Sequence, residues 1–260
     1  MMEVREWAIS ILAADCLEAK LFAPVILIDE HPGPAIRWKE PTRPPGMSFS
    51  RHTKEDKLPP LHEHGQSDKV AACLHRFAGH ELLAVEIMAY TLLAFPEAPK
   101  NFRRGLVHTL KEEQEHVRLY INRLAQLNVS FGDQPLFRHF WKHTPYIHTP
   151  LDYICMMSLT FEMANLDFAP IYGNSFARHG DHASAALMAK ILKDEIHHVG
   201  FGWNWLKRLK KEQQSEWTTW QQQLLPTLVT PRRAKGFFMN EKSRYEAGLS
   251  QEWIDNLAKL

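Results

Sequence analysis

The uneven distribution of proline limits which parts of this chain can form long helices. Eight of the 16 prolines lie within 24–60, where Gly33 and Gly46 also fall. Because proline lacks a backbone N–H and breaks a helix interior, this stretch cannot be one continuous helix. After a short amphipathic helix around Trp7, we expect 21–66 to form an extended arm that lies over the rest of the protein. Long helices can therefore form only after residue 66.

Four segments beyond residue 66 carry apolar residues at helical spacing. The first two are expected over 67–95 and 99–127. The third should cover 149–178, interrupted or kinked at Pro170, and the fourth should run from 181 to about 211. Each begins at a residue typical of helix starts, namely Ser67, Pro99, Thr149 and Asp181.

The remaining stretches complete an all-α prediction. The connection 128–149 is expected to contain one short helix at 136–143, and a last helix should follow Ser250. Convincing β-alternation is absent. Short connections within each helix pair and a long crossover between the pairs indicate a four-helix bundle. The predicted domains are the N-terminal helix and proline-rich arm (1–66), the bundle (67–211) and a C-terminal extension (212–260).

An internal repeat of acidic residues and histidines lies within the four helices. The second helix contains Glu113 and His116, the fourth contains Glu195 and His198, and both pairs read Glu-x-x-His. A single Glu lies upstream of each motif, on the preceding helix: Glu81 is 32 residues before Glu113, and Glu162 is 33 residues before Glu195. One Glu-x-x-His pair is expected by chance, but the complete set in one register is not.

This pattern predicts a metal site with two ions. Residues three apart share a helix face, and a helical hairpin returns the chain beside the upstream glutamate. One Glu from each of two helices plus Glu-x-x-His from each of the other two describes a carboxylate-bridged dimetal centre. Four carboxylates also balance the charge of two divalent cations. The predicted metal ligands are Glu81, Glu113, His116, Glu162, Glu195 and His198.

The ligand types also favour particular metals. Mixed imidazole and carboxylate ligation suits iron, with manganese as the alternative, whereas a calcium site would lack the imidazoles. Glu112 and Asp194 each precede a ligand glutamate and could accept a hydrogen bond from a ligand histidine of the opposite helix pair, or could belong to a plain polar face. Glu86 and Asp167, five residues after Glu81 and Glu162, are expected to form structural salt bridges.

The chain resembles the ferritin-like superfamily, and within it an uncharacterised bacterial family catalogued as domain of unknown function 455. The stretches that carry the resemblance are 76–86 (RFAGHELLAVE), 94–106 (AFPEAPKNFRRGL), 112–120 (EEQEHVRLY), 131–135 (FGDQP), 160–167 (TFEMANLD), 194–202 (DEIHHVGFG) and 235–248 (KGFFMNEKSRYEAG). The resemblance implies a ferritin-like bundle with the same six metal ligands. It implies no reaction.

The leading functional hypothesis is a non-haem dimetal oxidoreductase, containing two iron ions or manganese and iron, that activates O₂ to oxidise or hydroxylate an unknown substrate. The segments before and after the bundle could wall a pocket. The alternatives are a ferroxidase or iron-handling protein, and a non-catalytic scaffold with a structural metal site. No residue is assigned a catalytic role beyond the metal ligands.

Composition limits the partners and the compartment. The net charge of +1 gives little electrostatic support for nucleic-acid binding. The three cysteines are far apart, which favours free thiols in a reducing compartment, and no stretch of 18–20 uncharged apolar residues predicts a membrane helix. We therefore expect a cytoplasmic protein, compatible with a homodimer, that uses an electron donor and a small-molecule or carrier-bound substrate.

Overall fold

A computed structural model describes residues 1–51 and 56–260 of the chain. Two compact units divide the chain, Met1–Thr144 and Pro145–Leu260, and each is described by itself. The all-α prediction is confirmed, since the described strands are only two residues long. The predicted arm 21–66 includes residues 52–55, which lie outside the described residues.

The first unit is built on a long helical hairpin. Its α-helices are α1 (Val4–Ala13), α2 (Leu17–Leu21), α3 (Ser67–Ala94) and α4 (Lys100–Gln126). 3₁₀ turns occupy Leu61–Glu63 and Trp141–Tyr146, the latter extending two residues past the boundary of the unit. α3 and α4 pack together along their length, and α1 packs on α3.

Four short strands tie distant parts of the first unit together. β1 (Met2–Glu3) pairs in parallel with β2 (Leu27–Ile28). β3 (Phe49–Ser50) pairs in parallel with β4 (Leu136–Phe137). The short helix predicted at 136–143 is therefore wrong in its first part, because residues 136 and 137 hydrogen-bond to the arm as a strand.

The arm hydrogen-bonds to helices of its own unit at two described positions. The backbone N–H of Thr42 donates to the carbonyl of Leu12 at 2.8 Å, and that of Ile36 donates to the carbonyl of Leu93 at 2.9 Å. Ser67 was expected to cap α3 but is its first helical residue, because Gln66 takes the extended cap conformation. Such shifts of one residue are usual at helix ends.

α3 is the central helix of the first unit. It is long and apolar enough to cross a membrane by length and composition, although no such span was predicted. However, 89% of its most apolar window is buried within the structure, which is typical of a core helix. It also carries Glu81 and Glu86, whose charges would be costly in lipid. We therefore describe α3 as a core helix.

The second unit contains a wide helical segment between ordinary helices. Its α-helices are α5 (Pro150–Tyr153), α6 (Met163–Arg178), α7 (His182–Leu209), α8 (Glu216–Leu224), α9 (Glu241–Glu246) and α10 (Gln251–Ala258). Between α5 and α6, Ile154–Glu162 form a π-helix of nine residues. A 3₁₀ turn occupies Pro231–Ala234. α7 packs against both the π-helix and α6.

The helix starts of the second unit agree with the sequence prediction. The Thr149 side chain accepts a hydrogen bond from the backbone N–H of Asp152, and the Asp152 carboxylate accepts one from the backbone N–H of Thr149. Asp181 caps α7 by accepting from Ser184 N at 2.9 Å. Ser250 caps α10 in the same manner.

The helix was predicted to be interrupted or kinked at Pro170, and the structure shows no interruption there. α6 continues through Pro170, and the departure from α-helical geometry is the preceding π-helix. Proline cannot donate to the carbonyl of Leu166, four residues earlier. The Asn240 side-chain amide donates to that carbonyl instead, at 3.2 Å. A residue from the C-terminal extension therefore satisfies the acceptor that the proline leaves open.

Candidate metal centre

The first helical hairpin brings three predicted ligands together. The connection 95–99 is five residues long, so α3 and α4 run antiparallel and place Glu81 beside the Glu-x-x-His motif of α4. Glu81, Glu113 and His116 are buried, and each offers a ligand atom within 4.8 Å of the others. Glu113 Oε2 lies 3.3 Å from His116 Nδ1. We refer to these three residues as the first half-site.

The second unit carries the other three predicted ligands, Glu162, Glu195 and His198, which we call the second half-site. Glu195 and His198 lie on one face of α7, with Glu195 Oε2 3.5 Å from His198 Nδ1. Glu162 is the last residue of the π-helix, against which α7 packs. All three residues are buried. The structure thus gives both Glu-x-x-His motifs the same local geometry, with the imidazole beside its own glutamate.

Asn165 holds the second half-site in a way that the repeat alone does not predict. Its side-chain amide donates to Glu195 Oε1 at 2.8 Å. The other oxygen, Oε2, faces His198 and receives no hydrogen bond from the described residues. The carboxylate is therefore fixed through one oxygen while the second remains available to a ligand ion.

The donor set of the first half-site fits a divalent cation. Metal–oxygen and metal–nitrogen bonds of about 2.0–2.2 Å place ligands on opposite sides of an ion about 4 Å apart. The ligand atoms of Glu81, Glu113 and His116, within 4.8 Å of one another, need to move inward by only a few tenths of an ångström. Buried carboxylates also require a compensating positive charge, which a cation supplies. The oxygen and imidazole donors are those that iron and manganese accept.

Glu86 forms buried salt bridges, as predicted. Both Glu86 and Lys20 are fully buried, and Lys20 Nζ lies 3.0 Å from Glu86 Oε1. Arg43 lies 2.5 Å from Glu86 Oε2 and packs its guanidinium over the Phe49 ring. Burial lowers the pKa of Lys20, and the charge of Glu86 opposes that effect. The N-terminal segments thus neutralise a carboxylate in the core of α3.

Asp167 has the corresponding role in the second unit. Arg244 of α9 binds both carboxylate oxygens, at 2.6 and 2.9 Å. The backbone N–H groups of Gly236 and Asn240 donate to the same carboxylate, at 2.8 and 2.7 Å. The structural salt bridge expected at this position is confirmed, and its cation comes from the C-terminal extension.

The predicted outer partners Glu112 and Asp194 have partners on their own helices. Glu112 Oε1 lies 3.7 Å from His108 Nε2, and Asp194 pairs with Lys190. Asp194 is buried, whereas the Glu112 side chain is partly exposed. That these carboxylates accept hydrogen bonds from the ligand histidines stays a prediction.

The sequence did not predict several residues that contact a ligand of the second half-site or the structural acids Glu86 and Asp167. Asn165 could have been found, because it follows Glu162 by three residues and thus faces the same way on the helix. Lys20, Arg43 and Arg244 gave no such signal, since each is far in sequence from the carboxylate that it neutralises.

Comparison with known proteins gives a family but no reaction. A family described as "Protein of unknown function (DUF455)" matches residues 8–255. An uncharacterized protein of Haemophilus influenzae (strain ATCC 51907 / DSM 11121 / KW20 / Rd) is 25% identical over 195 residues, which cover 71% of this chain and 66% of that protein. No solved structure matches the chain.

Proposed function

The chain belongs to the family described as "Protein of unknown function (DUF455)", and since that description assigns no reaction, we propose a function from the two half-sites. The proposed function is a non-haem dimetal oxidoreductase that activates O₂ for oxidation or hydroxylation of a substrate. The observation that carries the proposal is the first half-site, in which two carboxylates and an imidazole converge in a buried core.

In this proposal the two hairpins form a ferritin-like bundle, and the two half-sites join into one dimetal centre. The sequence register supports it, because the ligands of the second hairpin follow those of the first by 81 residues for the upstream glutamates and 82 for the Glu-x-x-His motifs. Each half-site contributes two carboxylates and one imidazole. The four carboxylates carry −4 in total, which two divalent cations neutralise.

The chain's own residues prepare the site for such ions. Glu113 with His116, and Glu195 with His198, present an oxygen and a nitrogen on one helix face. Burial of these side chains excludes water and strengthens their interaction with a cation. Asn165 keeps Glu195 oriented. When bound, iron or manganese supplies electrons and Lewis acidity for the reduction of O₂.

Oxygen consumption tests the proposal. Anaerobically purified protein is loaded with Fe(II), exposed to O₂ with a reductant, and followed with an oxygen electrode and by visible absorption. We expect oxygen uptake and an absorbance change in the native chain and in the control variant Glu115→Gln, whose side chain is exposed. Glu113→Gln and Glu195→Gln should lose both signals.

Other results would contradict oxidoreductase function or favour one of the alternative functions. Absence of oxygen uptake with every reductant, together with an unchanged spectrum, would contradict oxidoreductase function. If chelation then unfolded the protein, the metal would be structural. Assembly into a large shell with many iron ions per chain, measured by light scattering and metal analysis, would instead favour iron handling.

A further inference from the structure

The π-helix Ile154–Glu162 ends at a proposed metal ligand. π-Helices are rare, occur mostly as single turns, and are often found at functional sites. This one covers nine residues and ends at Glu162, after which the chain returns to an α-helix. The wide segment therefore sits directly before the carboxylate that the proposed function assigns to a metal ion.

A tryptophan from the C-terminal extension fastens the wide turn. The Trp220 indole N–H lies 3.2 Å from the Cys155 carbonyl and 3.0 Å from Thr160 Oγ1. The Thr160 hydroxyl itself donates to the Cys155 carbonyl at 2.7 Å. Threonine in an α-helix usually reaches back three or four residues, whereas this bond spans five. The three groups are fully buried, and their hydrogen bonds connect the two ends of the π-turn.

A close approach to α7 fixes the opposite side of the π-helix. A Cβ atom at Gly202 would lie 2.3 Å from the Ser158 Cβ, so only glycine allows the two segments to come this close. Gly202 lies one turn beyond His198 on α7, and Ser158 lies one turn before Glu162. The contact therefore joins the two segments one turn away from the ligands of the second half-site.

The hydrogen-bond pattern of this segment determines where Glu162 points. An α-helix rotates by about 100° per residue, since it has 3.6 residues per turn. A π-helix closes each turn with a bond over five residues instead of four, so reversion of the nine-residue segment to an α-helix would change the hydrogen-bond register and rotate Glu162 about the helix axis. We propose that Trp220, acting through Thr160 and the Cys155 carbonyl, is a positioning residue that holds Glu162 toward the metal bound at the second half-site. The inference rests on the proposed metal centre.

Cobalt(II) binding tests this role without any turnover. The variant Trp220→Phe keeps an aromatic ring but removes the indole N–H, and Thr160→Val removes the hydroxyl with little change in shape. The matched control is Trp217→Phe, because Trp217 lies on the same helix and packs its ring against Trp220 at 5.1 Å. Co(II) affinity is measured by equilibrium dialysis, and the coordination by the visible ligand-field spectrum.

We expect Trp220→Phe and Thr160→Val to weaken Co(II) binding about tenfold, the lower end of the loss seen when an outer partner of a ligand is removed. Their ligand-field spectra should change in the direction of the Glu162→Gln spectrum, while Trp217→Phe keeps the native affinity and spectrum. If far-ultraviolet circular dichroism shows that Trp220→Phe does not fold, Thr160→Val decides the question.

Two results would overturn the inference, and they are distinguishable. Native affinity and spectrum in Thr160→Val, with clear loss in Glu162→Gln, would show that the π-helix does not position the ligand and would leave the proposed function standing. No Co(II) binding by the native chain would overturn the proposed metal centre, and this inference with it.

Discussion

The two units contain the same ligand pattern but support it differently. In each, a long hairpin carries an upstream glutamate and a Glu-x-x-His motif, and a buried acid follows the upstream glutamate by five residues. In the first unit that acid is Glu86, neutralised by Lys20 and Arg43 from the N-terminal segments. In the second it is Asp167, neutralised by Arg244 from the C-terminal extension.

The segment before the ligands also differs. Glu81 lies within the continuous α-helix α3, whereas Glu162 follows a π-helix. Three residues after each glutamate stand Ala84 and Asn165, of which only Asn165 can hold a neighbouring carboxylate. The comparison teaches that the spacing of the ligands can be repeated while each unit obtains its supporting contacts from its own terminal segment.

The largest effect is expected where one cation neutralises the buried acid. In Arg244→Met, Asp167 would remain buried without its cation, and we expect a loss of about 3–5 kcal/mol in the free energy of unfolding. Urea denaturation of the variant and of the control Lys242→Met, whose side chain is exposed on the same helix, checks this. A loss below about 1 kcal/mol would contradict this expectation, because a value that small is typical of an ion pair screened by solvent at the surface.

A smaller effect is expected in the first unit, because two cations share the charge there. Lys20→Met removes one ion pair and the hydrogen bond to the Ile11 carbonyl, but Arg43 stays beside Glu86. We expect a loss of about 2 kcal/mol, within the range for hydrogen bonds to charged groups. Urea denaturation is again the measurement, with Lys69→Met as the control. A loss equal to that of Arg244→Met would remove the proposed difference between the units.

The two units should also differ in how stability depends on pH, because a histidine binds a loop backbone in the first unit and an aspartate does so in the second. His75 Nε2 accepts hydrogen bonds from the backbone N–H groups of Gly132 and Gln134, as Asp167 does from Gly236 and Asn240. Burial lowers the pKa of His75 to about 4. In the unfolded chain the pKa of His75 is about 6.5. Between about pH 4 and pH 6.5 the unfolded state therefore binds more protons at His75 than the folded state does. The contribution of His75 to stability is complete above about pH 6.5 and is lost as the pH falls toward 4.

Denaturation with a chelator present, from pH 7 to pH 4.5, measures this contribution. As the pH is lowered, we expect protonation of His75 in the unfolded state to reduce the free energy of unfolding by up to about 1.4 kcal/mol per pH unit. In His75→Gln, the slope should be smaller by that amount, whereas the exposed His62, changed to Gln, should leave the slope as it is. Equal slopes in His75→Gln and the native chain would contradict the assignment.

The smallest expected effect concerns the amide that only the second unit has. Asn165→Ala leaves Glu195 without its hydrogen bond, and we expect about tenfold weaker metal binding, as for the loss of other outer partners. Metal titration followed by absorption checks this, with the exposed Asn174→Ala as the control. Unchanged affinity in Asn165→Ala would indicate that the two half-sites are equivalent despite Asn165.

The features predicted from the sequence are those that depend on neighbouring residues. Helix spacing, the capping pair at Thr149 and the Glu-x-x-His geometry follow from residues a few positions apart, and the structure agrees with them. The π-helix could not be predicted in this way, because its fastening residue Trp220 is 60 positions from Thr160. The strand at Leu136–Phe137 was missed for the same reason, since its partner lies in the arm.

The metal content of the protein tests the central claim most directly. The native chain, purified without chelators from its own host, is measured by inductively coupled plasma mass spectrometry together with six single variants, each changing one predicted ligand to a non-coordinating residue of similar size. We predict two ions per chain of iron, or of manganese and iron, in the native protein and a loss of metal in every variant. A native chain without metal, or variants that keep the native metal content, would contradict the claim.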